Sequence, residues 1–530
     1  MPKETVIWLT IGVYIVFMLV IGLISTRSSK SITDFTVGGR NAGAWVSALS
    51  YGTAYFSAVM FIGYAGSTGW KYGIWGVLPG IGNAIFGSLL AWLVLARRTR
   101  ETTRRHKIKS MPQFFAKRFE STAMKRFAVA VIFIFLLPYS ASVYKGLTSV
   151  CAVLLGIDER VCMVVIAVAA ALIVILGGYV ATLKADFVQG IVMLFGVSAL
   201  IVAIVRCRQV GGLQTGLEAI TAKTADLNLG VKDHIGLWAT VLMTSFGTWG
   251  LPQMIHKYYG IRDDHEVRRG TVISTLFALV IAGGGYFIGS LSRLFFSELP
   301  SPPAGGAGHP DYLIPNMLAQ ADLPTILVGV VLVLLISASV STLASITITA
   351  SSTLTMDFIQ DRLFPGMDKR RAALVTKALC AAFVLLSYLI ANSNTPILDM
   401  MSYSWGILSG SFLAPYLISL YWKGINRAGA WAGMLGGFFV ALPPVVCKLF
   451  LPSVSLPFFG AVKDLGPHFA CLAMVLSVAL CLVFSRIASA GRWKGSAPNP
   501  AFYEEAAPTE EAAPAEATVP AEAVAETVKG

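Results

Sequence analysis

Charge is what this sequence most lacks: only 13% of its 530 residues are Asp, Glu, Lys or Arg. A water-soluble chain carries roughly 25%. Lipid rather than water must therefore cover much of the surface, which excludes most soluble enzymes. Histidine (6) and cysteine (7) are scarce as well. The cysteines form no CxxC pair, and a single histidine, His468, lies close to one of them, Cys471, so neither a zinc site nor a disulfide framework can be argued. A membrane-embedded enzyme would need a convergent cluster of His, Cys or carboxylates, and none is evident. The first apolar run is too long for a cleavable signal peptide and lacks a basic flank ahead of it.

What is present is apolar sequence: 55% hydrophobic residues and a mean hydropathy of +0.70. A bilayer core takes about 20 apolar residues per helix, and thirteen such runs are expected, making an all-α integral membrane protein of the cell membrane. Lys and Arg alternate in density from link to link, with eleven of them in residues 97–126. The positive-inside rule places the amino terminus outside and the carboxyl terminus in the cytoplasm. The same basic stretch is expected to touch anionic lipid. The formal charge of +13 then requires no nucleic acid, and no obligate protein partner is expected. Residues 491–530 are rich in Ala, Pro and Glu and read as a disordered acidic tail.

Two runs carry helix-breaking sequence. The second, 42–66, places Gly52 with Ser50, Thr53 and Ser57 at mid-membrane; the seventh, 235–259, packs Gly247, Gly250 and Pro252 together. Non-helical backbone at that depth survives only where it lines a cavity. Five runs begin with the second and five with the seventh. Because five is odd, the two sets lie upside down to each other, as in an inverted-repeat transporter with its site between the broken helices. The alternative is that these small residues merely permit close packing.

The ninth run, 324–356, is dense in hydroxyls, and Ser341, Thr342 and Ser345 share a face. Hydroxyls and freed carbonyls can coordinate a hard cation without a full negative charge; equally, such hydroxyls can bond their own i−4 carbonyls. Ionised groups inside a bilayer cost about 2.5 to 3.5 kcal/mol near its centre. By position in its run Lys145 is the deepest, and it pairs with a solute or carboxylate or else snorkels into a wet vestibule. Asp186 opens the sixth run.

The chain resembles the sodium:solute symporter family, whose members carry proline, pantothenate, monocarboxylates, sialic acid or sugars. The resemblance rests on DFTVGGRNAGAWVSALS (34–50), ATLKADFVQG (181–190), FGTWGLPQ (246–253), VSTLASITITASSTLTMD (340–357) and YWKGINRAGAWAGMLGG (421–437). It implies a leucine-transporter-type 5+5 inverted-repeat core with one helix before and two after. The divisions are then 1–41, first helix and link; 42–206, first repeat; 207–234, extracellular link; 235–421, second repeat; 422–490, two final helices; and 491–530, tail. It also implies Na+ as coupling ion, held by the carbonyls of Thr53, Phe56 and Ala338 and the hydroxyls of Ser341 and Thr342. A second sodium would sit at Asp186, within reach of Thr342 or Ser345.

Sugar-binding relatives carry amides and carboxylates after the break and proline-type relatives an Asp at the position of Tyr55. Tyr55, Val59 and Met60 suit a small, partly apolar solute instead, and broken-helix dipoles with Lys145 favour a carboxylate on it. Candidate contacts are Tyr55, Ser57, Met60, Lys145, Ser245, Thr248, Trp249, Gln253 and Tyr403, of which Trp249 and Tyr403 could equally be packing aromatics. Sodium-coupled symport by alternating access, with no covalent chemistry and no organic cofactor, is the expected function. The rivals are a proton-coupled carrier of the same fold and a membrane sensor.

Overall fold

A computed structural model describes residues 3–26, 40–303, 305–393, 395–492 and 500–503. The expected acidic tail beyond residue 503 and most of the expected first link (27–39) lie outside them. The described chain is almost entirely helical, apart from a two-residue hairpin pairing Ser455–Leu456 with Gly460–Ala461. Eight of its helices are long and apolar enough to cross a bilayer. Polarity is inverted relative to a soluble protein. Phe195, Val475 and Leu389 are exposed, whereas Ser50, Thr53, Asp186, Gln253, Lys257 and Thr342 are buried.

Both expected interruptions are present. The helix Ala44–Tyr55 stops because Phe56 is extended (φ −104, ψ 105), and wider π-type turns follow from Val59–Ala65 into Gly66–Tyr72. Farther along, the helix Val231–Phe246 tightens into a 3-10 turn, Gly247–Gly250, and restarts as Pro252–Tyr259. Proline has no N–H to continue the ladder and pushes its predecessor out of the helical region, and Leu251 is extended (φ −81, ψ 120). Gly250 is needed for a close approach: a Cβ there would lie 2.6 Å from the Cα of Ser409 on the helix Ile397–Tyr421. The second interruption is thus pressed against the helix beside it.

The hydroxyl-rich helix Thr325–Leu354 forms the centre of the bundle, packed on Thr122–Leu155, Glu159–Arg206 and Ala44–Tyr55. From Ser337 to Thr353 every residue is buried.

One element departs from expectation. The fifth and sixth runs, 161–179 and 186–206, form a single 48-residue helix, Glu159–Arg206. The intervening GGYVATLKAD has no proline, and its Ala, Leu and Lys favour helix, so the ladder continues through it.

Candidate cation and solute site

The ninth-run helix meets the first interruption at Thr342. Its hydroxyl donates to the carbonyl of Thr53 at 3.1 Å and lies 3.0 Å from the carbonyl of Ala338, its own i−4 partner. Three of the five oxygens expected to hold sodium therefore meet at one hydroxyl, which is fully buried. The fourth, the Phe56 carbonyl, belongs to the extended residue of the break. The fifth, the Ser341 hydroxyl, points to Asp186 and donates to its Oδ1 at 2.6 Å.

Asp186 is itself buried, at 1% exposure. Its other oxygen, Oδ2, accepts from Ser50 Oγ and pairs with Lys257 Nζ at 3.0 Å. Lys257 Nζ also donates to Ser50 Oγ at 2.9 Å and Ser345 Oγ at 3.0 Å. Asp186 and Ser345 are thus brought together as expected, but around an ammonium. The lysine comes from Pro252–Tyr259, the half-helix that follows the second interruption.

Beside the breaks, Tyr55 donates to the Thr244 carbonyl at 2.6 Å and stacks on Phe56, with Trp405 6.1 Å away. Ser245 reaches Asn83 at 3.2 Å, and the Thr248 hydroxyl caps the Ser245 carbonyl at 2.9 Å. The Trp249 indole N–H donates to the Phe86 carbonyl. Ser57 Oγ accepts from the Val59 N–H as the chain turns back into helix. Met60 is buried against the position of Gly285. Gln253 differs from these: it is 1% exposed, and neither its amide oxygen nor its nitrogen has a hydrogen-bond partner. A buried primary amide left without partners is costly in free energy, and this one follows directly on the second break.

A comparison of the whole chain with known proteins points the same way. Residues 35–437 match the sodium:solute symporter family. The chain belongs to that family. It is a multi-pass membrane protein that couples solute import to sodium. The chain is 26% identical over 456 residues to the sodium/proline symporter of Escherichia coli strain K12, covering 85% of this chain and 89% of that one. It is 24% identical over 491 residues to the osmoregulated proline transporter OpuE of Bacillus subtilis strain 168, covering 91% and 96%. In fold it is similar to a Na+-coupled sialic acid symporter solved substrate-bound and outward-open. The TM-score there is 0.69 at 17% identity, over 91% of this chain and 98% of that one. A nucleobase-cation-symport-1 family transporter in a closed conformation gives 0.52 at 11% identity, over 86% and 95%.

In this symporter two expected solute contacts stand apart from the breaks. Lys145 Nζ donates to the carbonyls of Ser393 and Thr395, both at 2.8 Å, and lines a cavity of about 950 Å³ with Glu159, Arg160, His309 and Asp311. The physical reason is helix length. Thr122–Leu155 has 34 residues, about 51 Å at 1.5 Å each, so the middle of the run is not the middle of the membrane. Tyr403 donates to the Lys463 carbonyl at 2.7 Å. In the same cavity the Asp311 carboxyl is pushed up to about 6 by burial, with Lys145 and the Ile397 N–H opposing and Glu159 adding to the rise.

Lys257 is the residue that reading the sequence missed. It sits near the end of its apolar run, where a lysine ordinarily reaches for water. The available signal was spacing: Lys257 is four residues beyond Gln253 and so shares its helix face.

Proposed function

We propose that sodium is held by the carbonyls of Thr53, Phe56 and Ala338 with the hydroxyls of Ser341 and Thr342, and that its binding organises a solute site between the two breaks. The observation that carries this reading is the Thr342 hydroxyl seated against the Thr53 and Ala338 carbonyls. It is a set of uncharged oxygens from two helices, one of them broken, which suits a monovalent hard cation.

The solute is small, partly apolar and carboxylate-bearing. Tyr55, Ser57, Met60, Ser245, Thr248 and Trp249 surround it, and the unpartnered Gln253 amide supplies hydrogen bonds. Both relatives named above are proline carriers by name, so proline is the first compound to test. Lys145, placed in the outer cavity, serves entry rather than the inner site.

One positive charge moving down 100 mV releases about 2.3 kcal/mol, and a tenfold sodium gradient adds about 1.4 kcal/mol. A zwitterion such as proline can use both terms. For a monoanion carried with one sodium the voltage term cancels.

The proposed topology has thirteen crossings in the cell membrane, with the amino terminus outside and the 97–126 stretch against anionic cytoplasmic lipid. That count takes residues 159–206 as two crossings, whereas the structure has one continuous helix there, about 72 Å long against a hydrocarbon core of about 30 Å. Labelling of Lys184→Cys from the cytoplasmic side decides between the two, since only two crossings bring residue 184 to that face.

The deciding experiment for function is thermal stability of the purified protein in sodium, potassium or choline chloride, each with proline, a short monocarboxylate, pantothenate or a hexose. Stabilisation by sodium that deepens with one solute is the expected result. Stabilisation by that solute irrespective of sodium, with uptake driven by a pH gradient, would favour the proton-coupled alternative.

A further inference from the structure

We infer that Lys257 is the permanent occupant of the cation position at Asp186, so that this symporter binds one sodium ion rather than two. The inference rests on the sodium reading above and goes further, to the number of ions.

An ammonium carries three N–H donors and no acceptor. Around Lys257 Nζ stand three oxygens from three separate elements: Ser50 Oγ at 2.9 Å, Asp186 Oδ2 at 3.0 Å and Ser345 Oγ at 3.0 Å. The helices carrying them are Ala44–Tyr55, Glu159–Arg206 and Thr325–Leu354. A carboxylate flanked by two hydroxyls is an attractive set for a dissolved sodium ion, but the side chains of both Lys257 and Asp186 are 1% exposed. The pair is closed off from water, and a second cation would have to enter beside an ammonium already in contact with the same oxygens. Like charges at that separation in a low-dielectric interior repel strongly.

The lysine is tethered, which sodium is not. It belongs to the half-helix after the second break, so when the bundle rearranges the cation travels with the protein and is never released to either side. It also acts on the neighbouring sodium position. Asp186 Oδ1 accepts the Ser341 hydroxyl proton, which leaves the lone pairs of the Ser341 oxygen free to face a cation. Lys257 is therefore a positioning residue for the first site as well as the occupant of the second.

The test counts ions on the purified full-length protein, using radioactive sodium alone in an equilibrium binding assay, with no solute needed. The unaltered protein should bind one sodium per chain. Lys257→Ala, which uncovers Asp186, should bind two, and Lys257→Arg, which keeps a cation there, should return to one. Two sodium ions on the unaltered protein would overturn the inference whether or not the alanine variant folds. A single ion on a folded Lys257→Ala protein would overturn it as well. No sodium on the unaltered protein is a separate result, one that removes the symport reading itself.

Discussion

The oxygens around Thr342 and those around Asp186 are neighbours, joined through the adjacent residues Ser341 and Thr342, yet they meet opposite electrostatic conditions. Around Thr342 every ligand is a hydroxyl or a backbone carbonyl, so the cradle carries no net charge and can stand without an ion. Around Asp186 a full negative charge is buried. An isolated carboxylate cannot be left in such surroundings without a large desolvation penalty, and Lys257 removes it. An exchangeable ion suits the first arrangement and a resident one the second, because only the first can be emptied cheaply in each transport cycle.

The largest effect should come from taking that resident pair apart. Asp186→Ala leaves the Lys257 ammonium buried without its carboxylate, which should cost about 3 to 5 kcal/mol. The measurable outcome is a large drop in melting temperature or in the yield of monodisperse protein. Asp186→Leu combined with Lys257→Met removes both charges and should recover most of the lost stability. If the single and double variants melt alike, the pair is not what holds these helices together.

Asp311 sharpens the comparison, because it is a buried carboxyl without such a partner set. Its Oδ1 has no hydrogen-bond partner, its Oδ2 accepts from the Ile397 N–H at 3.2 Å, and His309 Nδ1 lies 3.5 Å from that oxygen. The folded-state carboxyl is raised from 3.8 to about 6. Between those two values the folded chain holds the proton that the unfolded chain has lost. Stability therefore falls as pH rises through this window, by an amount on the order of 3 kcal/mol at most. Asp311→Asn should abolish the fall, and melting curves at pH 4.5 and pH 7 of both proteins would show it. An unchanged pH dependence in the variant would mean that the cavity beside Lys145 hydrates this carboxyl after all.

On the uncharged side of the comparison, Thr342→Ala deletes the hydroxyl that spans the Thr53 and Ala338 carbonyls. Losing one ligand should weaken sodium binding at least tenfold, about 1.4 kcal/mol, while stability without sodium changes little. Titrating sodium chloride against melting temperature separates the two effects. Unaltered sodium affinity would move the ion away from this hydroxyl.

Much of this contrast was legible in the sequence, and the part that was not has a common cause. Gly247, Gly250 and Pro252 announce an interruption locally, since proline and glycine act on their own few residues. The Ser341–Thr342–Ser345 ridge follows from helical period alone. Lys257 meets Asp186 across 71 positions and Ser50 across 207, and no local pattern encodes a contact of that range. Lys145 differs: its place in an apolar run left solute pairing and a wet vestibule both open, and the length of its helix places it at a cavity apart from the breaks. The helix through residues 180–185 reflects good local helix formers where charge and run length suggested a link.

The smallest effect concerns a segment that composition alone assigned to disorder. Pro500–Tyr503 forms a short turn, where the Tyr503 hydroxyl donates to the Ser419 carbonyl at 2.6 Å and accepts from Arg118 at 3.0 Å. Phe502 lies flat on the His106 ring at 4.1 Å. Low-complexity composition forbids a core of its own but not attachment to someone else's, and two aromatics are enough to attach here. Tyr503→Phe removes one hydroxyl network and should cost about 1 kcal/mol, read as a shift of a few degrees in melting temperature. If sodium affinity changes by the same factor in that variant, the tail anchor and the Thr342 cradle are energetically linked. The independence assumed between the two ends of the bundle would then be wrong.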